Sequence, residues 1–341
     1  MTEAQPTAKS SRRRRFLLGA MIILLIGIGA AWTYGWMLAR DMVAQKFDAF
    51  LAREVQAGRI HECGSRRIGG YPFLIEITCD APVIRFADGK GQMSVSFSSL
   101  KTVALIYAPN HIITEFGSPL VVSQNDQTVF SASFRDAQTS FRHKDNSFER
   151  FSLIADDLQI EFPQKIFAKH AEFHIRPSLS SATGQDYDLA VEAEKLVLPN
   201  ASSEQSVDVS LASAVRGWPS WRVSAHTTLN EWQQSEGHVD IQDLRIKRND
   251  GLFVTKGDLH FNDARRAEGR FDATFVNSSN LLRGLVMQGQ NDAGALFGPL
   301  FMMLGKKVEF EGKRATQMQL KVDNGVISLG SLVLGELPPL Y

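Results

Sequence analysis

The most extreme feature of the hydrophobic pattern is an uncharged stretch near the start of the chain. Residues 16–39 carry no charged side chain and are rich in Leu, Ile, Met, Ala and Gly. A helix of that length measures about 36 Å, enough to cross a hydrocarbon core of about 30 Å with some tilt. Trp32, Tyr34 and Trp36 lie near its end, where aromatic rings prefer the headgroup layer. The pattern predicts one transmembrane helix.

The next segment, residues 40–58, keeps a helical period but becomes amphipathic. Charged residues stand between apolar ones at helical spacing, and Gly58 follows as a C-terminal stop signal. We expect a helix that continues the membrane helix and docks on the following domain; lying along the membrane is the alternative. Its apolar positions are Met42, Val43, Phe47, Phe50, Leu51 and Val55.

From residue 60 to about 277 the period changes to short runs of alternating or continuous apolar residues. Turn signals such as Asp88-Gly89 and Asn125-Asp126 separate the runs. Many short strands at this spacing predict a mainly antiparallel β domain with an extended or curved sheet and a few helices.

Three local patterns refine this reading of residues 59–341. Residues 200–217 fit a short helix, and residues 279–304 present an apolar helical face. The run 221–229 fits a strand. Asn324-Gly325 is a strong hairpin turn, which predicts that Val322 faces Ile327 and that Leu320 faces Leu329.

Composition and charge sharpen the placement of these segments. The chain has 341 residues, of which 44% are hydrophobic, so it can build a core without metal or disulfide staples. Its 37 Lys+Arg balance 37 Asp+Glu, so we expect no nucleic-acid partner. Residues 1–15, however, carry a net charge of +4 beside the apolar stretch.

This charge predicts the topology, because Lys and Arg flanking a membrane helix stay on the cytoplasmic side. We expect a single-pass protein of the bacterial inner membrane with a cytoplasmic tail (1–15), a transmembrane helix (16–39), an amphipathic linker helix (40–58) and a periplasmic β-rich domain (59–341). A signal peptide cleaved near Ala30 is one alternative. A twin-arginine signal at Arg13-Arg14 is another.

Cys63 and Cys79 are the two cysteines of the chain, and both follow the apolar stretch. In an oxidising compartment two cysteines at this separation are a natural disulfide pair. Two free buried thiols are the alternative. The C-x-x-C spacing of redox-active pairs is absent.

No pattern of catalytic residues stands out, so we expect neither an enzyme nor a cofactor. The chain lacks the G-x-S-x-G, H-E-x-x-H and C-x-x-C motifs. His170 and His174 are the most tempting metal pair. They alternate with Ala171, Phe173 and Ile175, which indicates a strand, and on a strand the two rings lie about 13 Å apart, too far for one ion. A solvated strand face is the expected interpretation.

The most peculiar local motif is Gly70, Tyr71, Pro72 and Phe73, flanked by the two cysteines. Two glycines at 69 and 70 permit unusual backbone angles, and Pro72 restricts the segment to a turn or a strand edge. A structural corner is the simpler interpretation; a lip that binds a partner or admits lipid is the alternative.

The order of these features resembles a bacterial family of unknown function seen mainly in alphaproteobacteria. Its members have an N-terminal membrane helix, an amphipathic continuation and a G-[YF]-P-F box before a strand. The C-terminal hairpin and the following Gly330, Gly335 and Pro338-Pro339 are also similar. This resemblance implies no known reaction and no catalytic residue. A weaker architectural likeness is to AsmA-like envelope proteins, which join one anchor to a curved sheet implicated in lipid transport.

The functional expectation follows from period-two apolar sets in the strand region. One set is Val95, Phe97, Val103, Leu105 and Tyr107, and another is Phe130, Ala132 and Phe134. Alternation puts each set on one sheet face. We expect a non-enzymatic role in the cell envelope, with lipid or another apolar ligand held on such a face. The alternative is a scaffold that binds an envelope protein through a sheet edge.

Overall fold

The computed structural model describes residues 10–89, 91–145, 147–162, 164–179, 185–199, 201, 203–218, 225–235, 237–277, 305–330 and 332–339. It begins with one helix, α1, which runs without interruption from Ser10–Gln56. The amides of Ala57 and Gly58 bond back to the carbonyls of Arg53 and Val55, and Gly58 takes a φ of 77° that ends the helix. The part of α1 from Arg14 onward is long and apolar enough to cross a membrane.

The first ten strands join in pairs to form five long strands, each of which is interrupted once. They are β1 (Arg59–Glu62) with β2 (Ser65–Gly69), β3 (Leu74–Asp80) with β4 (Val83–Asp88), β5 (Gly91–Ser96) with β6 (Ser99–Leu105), β7 (Ala108–Phe116) with β8 (Leu120–Gln124), and β9 (Gln127–Ser133) with β10 (Asp136–Lys144). β2, β3, β6, β7 and β10 pair in that order, and β1, β4, β5, β8 and β9 pair beside them.

The interruptions lie side by side and form a line across the sheet, which we call the crease. Main-chain hydrogen bonds connect it from strand to strand, from Gly64 N to Asp80 O at 2.9 Å and from Ala81 N to Ser98 O at 2.9 Å. Extra residues in left-handed conformation bend a strand in this way. The crease comprises Cys63, Gly64, Ala81, Pro82, Phe97, Ser98, Gly117, Ser118, Pro119, Phe134, Arg135 and Asp157.

Beyond the crease the sheet continues with the antiparallel strands that follow in the chain. The strands are β11 (Ser147–Phe162), β12 (Ile166–Pro177), β13 (Tyr187–Leu196), β14 (Val207–Arg216), β15 (His238–Arg248), β16 (Gly251–Phe261), β17 (Ala267–Val276), β18 (Lys306–Phe310), β19 (Lys313–Asp323), β20 (Val326–Leu329) and β21 (Leu332–Glu336). β11 is long enough to pair with β10, β9 and β12, and β19 pairs with β17, β18 and β20. A 3-10 turn (Ser203–Gln205) and helix α2 (Ala225–Gln234) lie in the connections.

Over the described residues the buried core is small. A compact cluster of Ala273, Phe275, Met318 and Leu329 lies near the C-terminal end of the sheet, with Leu320 packed against it. Large apolar side chains of α1, such as Phe16 and Ile23, are more than 70% exposed, and apolar side chains of the sheet such as Phe141 and Leu153 are more than a third exposed.

The predicted fold class is confirmed: a mainly antiparallel sheet follows one long apolar helix. The hairpin at Asn324-Gly325 is also confirmed, because Val322 pairs with Ile327 and both turn residues have positive φ. Two local predictions are wrong. In the segment 200–217 the apolar residues that suggested a helix lie in strand β14 (Val207–Arg216), because pairing with β13 and β15 decides between two compatible periods, and the 3-10 turn at Ser203–Gln205 precedes it. In the segment 221–229 the residues from Ala225 onward belong to helix α2. The apolar helical segment predicted at 279–304 lies outside the described residues.

Candidate functional site

The sheet has one continuous apolar side, which we call the apolar face. Residues that pair directly across antiparallel strands point to the same side, so the register identifies rows of side chains. The first row is Ile75, Ala104, Ile112, Phe141, Phe151, Ile175, Leu189, Ser213, Ile241, Gly257, Phe271 and Leu320. The next row away from the β2–β3 turn is Ile68, Ile77, Thr102, Thr114, Thr139, Leu153, Phe173, Val191, Leu211, Leu244, Thr255, Ala273 and Met318.

On the other side of the sheet, the row between these two is mixed and consists of Glu76, Val103, Ile113, Ser140, Ser152, His174, Ala190 and Ala212. The next row on that side is polar apart from Ile154. It contains Thr78, Lys101, Glu115, Gln138, Ile154, Glu172, Glu192, Ser210 and Arg245. Water therefore solvates one side of the sheet. Apolar side chains on the other side stay partly accessible: Phe141 is 37% exposed and Leu153 is 38% exposed.

The apolar face continues across the crease. The rings of Phe97 in the crease and Phe116 in β7 have centroids 5.0 Å apart, so they share one side. Beyond it, Ile84 and Val95 pair directly, and Val95 pairs with Val122. The sequence-based grouping of Val103 and Leu105 with Val95 and Phe97 is therefore wrong. Leu105 pairs with Leu74, and both alternate with the pair Ile75 and Ala104 of the apolar face, so Leu105 lies on the other side. Val103 pairs with Glu76 and Ile113 on the polar side, because the crease shifts the alternation by one residue.

The Gly70–Phe73 motif attaches the end of the sheet to helix α1. The indole nitrogen of Trp32 donates to the carbonyl oxygen of Pro72 at 3.0 Å, and that of Trp36 donates to the carbonyl oxygen of Leu74 at 3.0 Å. The ring of Trp36 also meets Tyr71 edge-on, with centroids 5.4 Å apart. Residues 32, 36 and 70–74 thus form a junction that we call the collar.

Two further contacts complete the collar. The hydroxyl of Thr33 donates to the carbonyl of Gly29 at 2.8 Å, so the hydroxyl of Tyr71, 2.8 Å from Thr33 Oγ1, is the donor in that pair. A glycine is required at position 70, where φ is 100° and a Cβ would lie 2.7 Å from the carbonyl oxygen of Leu74. The Tyr71–Pro72 peptide bond is cis.

Past the collar, helix α1 runs along the first strand of the sheet. Arg66 pairs with Cys79, so it lies on the side of the apolar face. Its guanidinium lies 5.4 Å from the ring centroid of Phe47 and donates to Asp48 at 2.7 Å. Near the end of the helix, Glu54 accepts hydrogen bonds from Arg59 at 2.7 Å and lies 3.2 Å from His61. The helix therefore forms a wall along one edge of the apolar face.

Cys63 and Cys79 form a disulfide, with their Cα atoms 5.6 Å apart. Cys63 belongs to the crease, and Cys79 lies in β3 one residue before Asp80, whose carbonyl accepts from Gly64. The bond therefore joins the break between β1 and β2 to strand β3, at the crease. The disulfide therefore has a structural role, and it lies close to the wall formed by α1.

On the polar side, a ladder of hydrogen bonds connects His170 and His174. His170 lies 2.6 Å from Asp156 and 2.7 Å from Glu172, and the other carboxylate oxygen of Glu172 lies 2.7 Å from His174. The hydrogen bond with Asp156, and then that with Glu172, raises the pKa of His170. The hydrogen bonds with His170 and His174 lower the pKa of Glu172, and the bond with His170 is the main cause of the lowered pKa of Asp156.

This ladder has the features of a strand surface. Both histidines are on β12, and each bonds to Glu172 between them rather than pointing toward a common centre. Over the part of the chain that the structure describes, no group of three or more His, Cys, Asp or Glu side chains is placed to hold a metal ion.

Sequence reasoning singled out the Gly70–Phe73 motif and the tryptophans separately, but not their contact. Trp32 and Pro72 are 40 residues apart, and only the docking of α1 on the sheet brings them together. Tyr107, in the turn between β6 and β7, was noted as an apolar strand position and is in fact 72% exposed. The only signal for this contact in the sequence was that aromatic residues occur in three separate segments, at 32–36, at 71–73 and at 107.

A comparison with protein-family models matches residues 36–338 to the family described as "Uncharacterized protein conserved in bacteria (DUF2125)". The chain belongs to this family. The match begins at Trp36 in the collar and covers the sheet through β21. A search of the curated proteins finds no match. The DUF2125 assignment fits the resemblance to a bacterial family of unknown function noted from the sequence, and it assigns no activity.

Proposed function

We propose that this DUF2125 protein is a non-enzymatic, single-pass protein of the bacterial inner membrane whose periplasmic sheet binds acyl chains of lipids on its apolar face. The observation that carries the proposal is the two adjoining rows of mostly apolar side chains that cross the sheet beside a helix suited to span a membrane. The role would lie in maintaining the cell envelope, with neither cofactor nor nucleic acid involved.

The energetic argument is the partial exposure of the apolar face. Large apolar side chains such as Phe141 and Leu153 remain more than a third exposed. Covering apolar surface is favourable by about 25 cal/mol per Å², or about 0.8 kcal/mol for each methylene that is buried. An acyl chain laid along the rows supplies this cover and needs no hydrogen-bonding partner.

The orientation is part of the proposal. The arginines at 12–15 favour a cytoplasmic N-terminus, which leaves the sheet on the periplasmic side. A disulfide between Cys63 and Cys79 suits that oxidising compartment. The polar side of the sheet, with its ladder of ionised groups, then faces periplasmic water.

The test is native mass spectrometry of the full chain extracted in mild detergent, with co-purified lipid as the measurement. Leu153→Glu places a charge on the apolar face at a position exposed enough to solvate it. Gln138→Glu is the matched control, because Gln138 lies on the neighbouring strand and on the polar side. We expect lipid to be lost from Leu153→Glu and retained by Gln138→Glu. Lipid-free parent protein, or equal retention by a folded Leu153→Glu variant, contradicts the proposal.

A protein partner bound at a sheet edge is the second candidate. Among the strands that the structure describes, β21 pairs with β20 alone, and its Val333 is 60% exposed. An edge strand of this kind accepts a strand from another chain through main-chain hydrogen bonds. Val333→Pro would block such pairing without touching the apolar face. Loss of a co-purified protein from this variant, with no lipid bound to the parent, would favour the scaffold.

A further inference from the structure

A cavity of about 530 Å³ lies between helix α1 and the turn that joins β6 to β7. Its walls are Ile28, Ala31, Trp32, Gly35, Trp36 and Ile106, all of them apolar. The four residues at 28, 31, 32 and 35 share one face of the helix, and Ile106 borders the cavity from the sheet. The cavity is open, since Ile28 is 57% and Trp32 43% exposed.

The position of this cavity along α1 places it in the membrane. Counted from Arg15 at 1.5 Å per residue, Ile28 lies about 20 Å and Trp36 about 32 Å along the helix. A hydrocarbon core of about 30 Å therefore ends between them, at the level where Trp and Tyr rings collect. The exposed rings of Tyr71, Phe73 and Tyr107 mark the same level from the side of the sheet.

The cavity also adjoins the apolar face. Trp36 bonds to the carbonyl of Leu74, and the next residue, Ile75, is 7% exposed and begins the first apolar row. Ile106 follows Leu105, which pairs with Leu74, and Ala104 pairs with Ile75. The cavity is thus continuous in sequence and register with the end of the apolar face that is nearest the membrane.

We propose that this cavity is the entrance through which an acyl chain of a bilayer lipid passes from the leaflet opposite the arginines to the apolar face. The occupant is an acyl chain because the cavity opens at membrane depth and has only apolar walls. The inference rests on the proposed lipid-binding function and adds the place of entry.

Gly35 lines the cavity and has no side chain. A Cβ at Gly35 would meet no atom within 4 Å, so Gly35→Leu introduces an apolar side chain on the face of the helix that lines the cavity. Ala30→Leu is the matched control, since Ala30 is exposed at similar depth and lies about 140° around the helix from Gly35. Both variants make α1 more apolar, so both should still insert.

The experiment uses the full chain in vesicles of phosphatidylethanolamine and phosphatidylglycerol that contain a phospholipid with a diazirine on one acyl chain. After irradiation, peptide mapping by mass spectrometry measures labelling at Ile106 and at Leu153. We expect both sites to be labelled in the parent and in Ala30→Leu. In Gly35→Leu, labelling at Ile106 should fall about tenfold, the factor expected when roughly two buried methylenes lose their contacts.

The outcomes separate the two proposals. Labelling at Leu153 with none at Ile106, or equal labelling of Ile106 in Gly35→Leu and the parent, overturns the entrance and leaves the lipid-binding face standing. Absence of label at both sites overturns both. If Gly35→Leu instead changes the oligomeric mass in native mass spectrometry while Ile106 labelling is unchanged, the cavity serves contact between copies of the chain and the entrance is wrong.

Discussion

The indole nitrogen of Trp36 lies 3.0 Å from the carbonyl oxygen of Leu74, 38 residues further along the chain. Trp36 is 9% exposed, although it follows a helical segment whose side chains are mostly exposed. One side chain therefore joins helix α1 to the start of strand β3. Because α1 continues without interruption to Gln56, this bond and that of Trp32 fix the position of the sheet along the helix.

Removing this bond should weaken the docking of the sheet on the helix. Trp36→Phe keeps an aromatic ring against Tyr71 but loses the donor, and should destabilise the collar by about 1 kcal/mol. Trp36→Ala also removes the ring and should cost about 3–5 kcal/mol. Limited proteolysis after the helix, in detergent, measures the docking. Tyr34→Phe is the control, because Tyr34 is 64% exposed on the same helix; equal proteolysis of all four proteins would contradict the role of Trp36.

The disulfide should stabilise the crease where the break between β1 and β2 lies beside strand β3. Closing a loop with a sequence separation of 16 contributes roughly 3 kcal/mol in the chain-entropy account. Cys63→Ser should lose about that much stability to urea and expose one reactive thiol in labelling of unreduced, denatured protein. Cys63→Ser with Cys79→Ser is the control, since reductant should not affect it. Two labelled thiols in the parent, isolated without reductant, would show that the bond is absent.

The strands were largely predictable because the signals that define them are local. Asn324-Gly325 forms its hairpin with the expected partners, since both residues accept the positive φ that the turn requires. From His170 to Ile175 polar and apolar residues alternate, as they do in a strand with one polar side, and both histidines lie on that side. The helix predicted in segment 200–217 was wrong because Leu211 and Val215 satisfy both a helical and a strand period, and the neighbouring strands decide between the two.

The crease and the collar were not predictable, because each depends on contacts distant in sequence. Ala81 adopts a φ of 48°, which its residue type does not indicate. Asp157 adopts a φ of 49°, and although Asp accepts this conformation more readily than most residues, its place inside the long strand β11 does not indicate it. A one-residue shift at each break moves every later side chain to the other side, which is why Val103 was assigned to the wrong face. The collar joins Trp32 to Pro72, and the sequence contains no period or motif that encodes the distance between them.

The orientation of the chain should depend on the arginines at 12–15. A reporter enzyme that is active only outside the cytoplasm, fused after Tyr341, should be active in the parent. Replacing the four arginines with glutamine should reduce that activity, because the positive-inside bias is lost. Replacing Lys46 and Arg53 instead, on the other side of the apolar stretch, should leave it unchanged. An inactive fusion to well-expressed parent protein would mean that the sheet is cytoplasmic.

The ladder of His170, Glu172 and Asp156 should make stability depend on pH. The raised pKa of His170 means that its contribution is complete below the ordinary value of 6.5 and is lost as the pH rises through the raised value. The lowered pKa values of Glu172 and Asp156 mean that their contributions are present above the ordinary values of 4.5 and 3.8 and are lost as the pH falls. The ladder should therefore stabilise the fold most between about pH 4.5 and pH 6.5.

Glu172→Gln tests this dependence, because it keeps the shape of the side chain and removes the charge that both histidines share. Thermal unfolding of the parent should show a fall in midpoint as the pH rises above 6.5 through the raised pKa of His170, and this fall should be smaller in the variant. The nearby acidic groups on adjacent strands are Asp136, Asp157, Glu192 and Glu194, and they contribute to a background that both proteins share. Glu192→Gln is the matched control, since Glu192 pairs with Glu172 on the next strand and should leave the fall in place. Parallel curves for the parent and Glu172→Gln would show that the ladder is an ordinary solvated surface with no effect on stability.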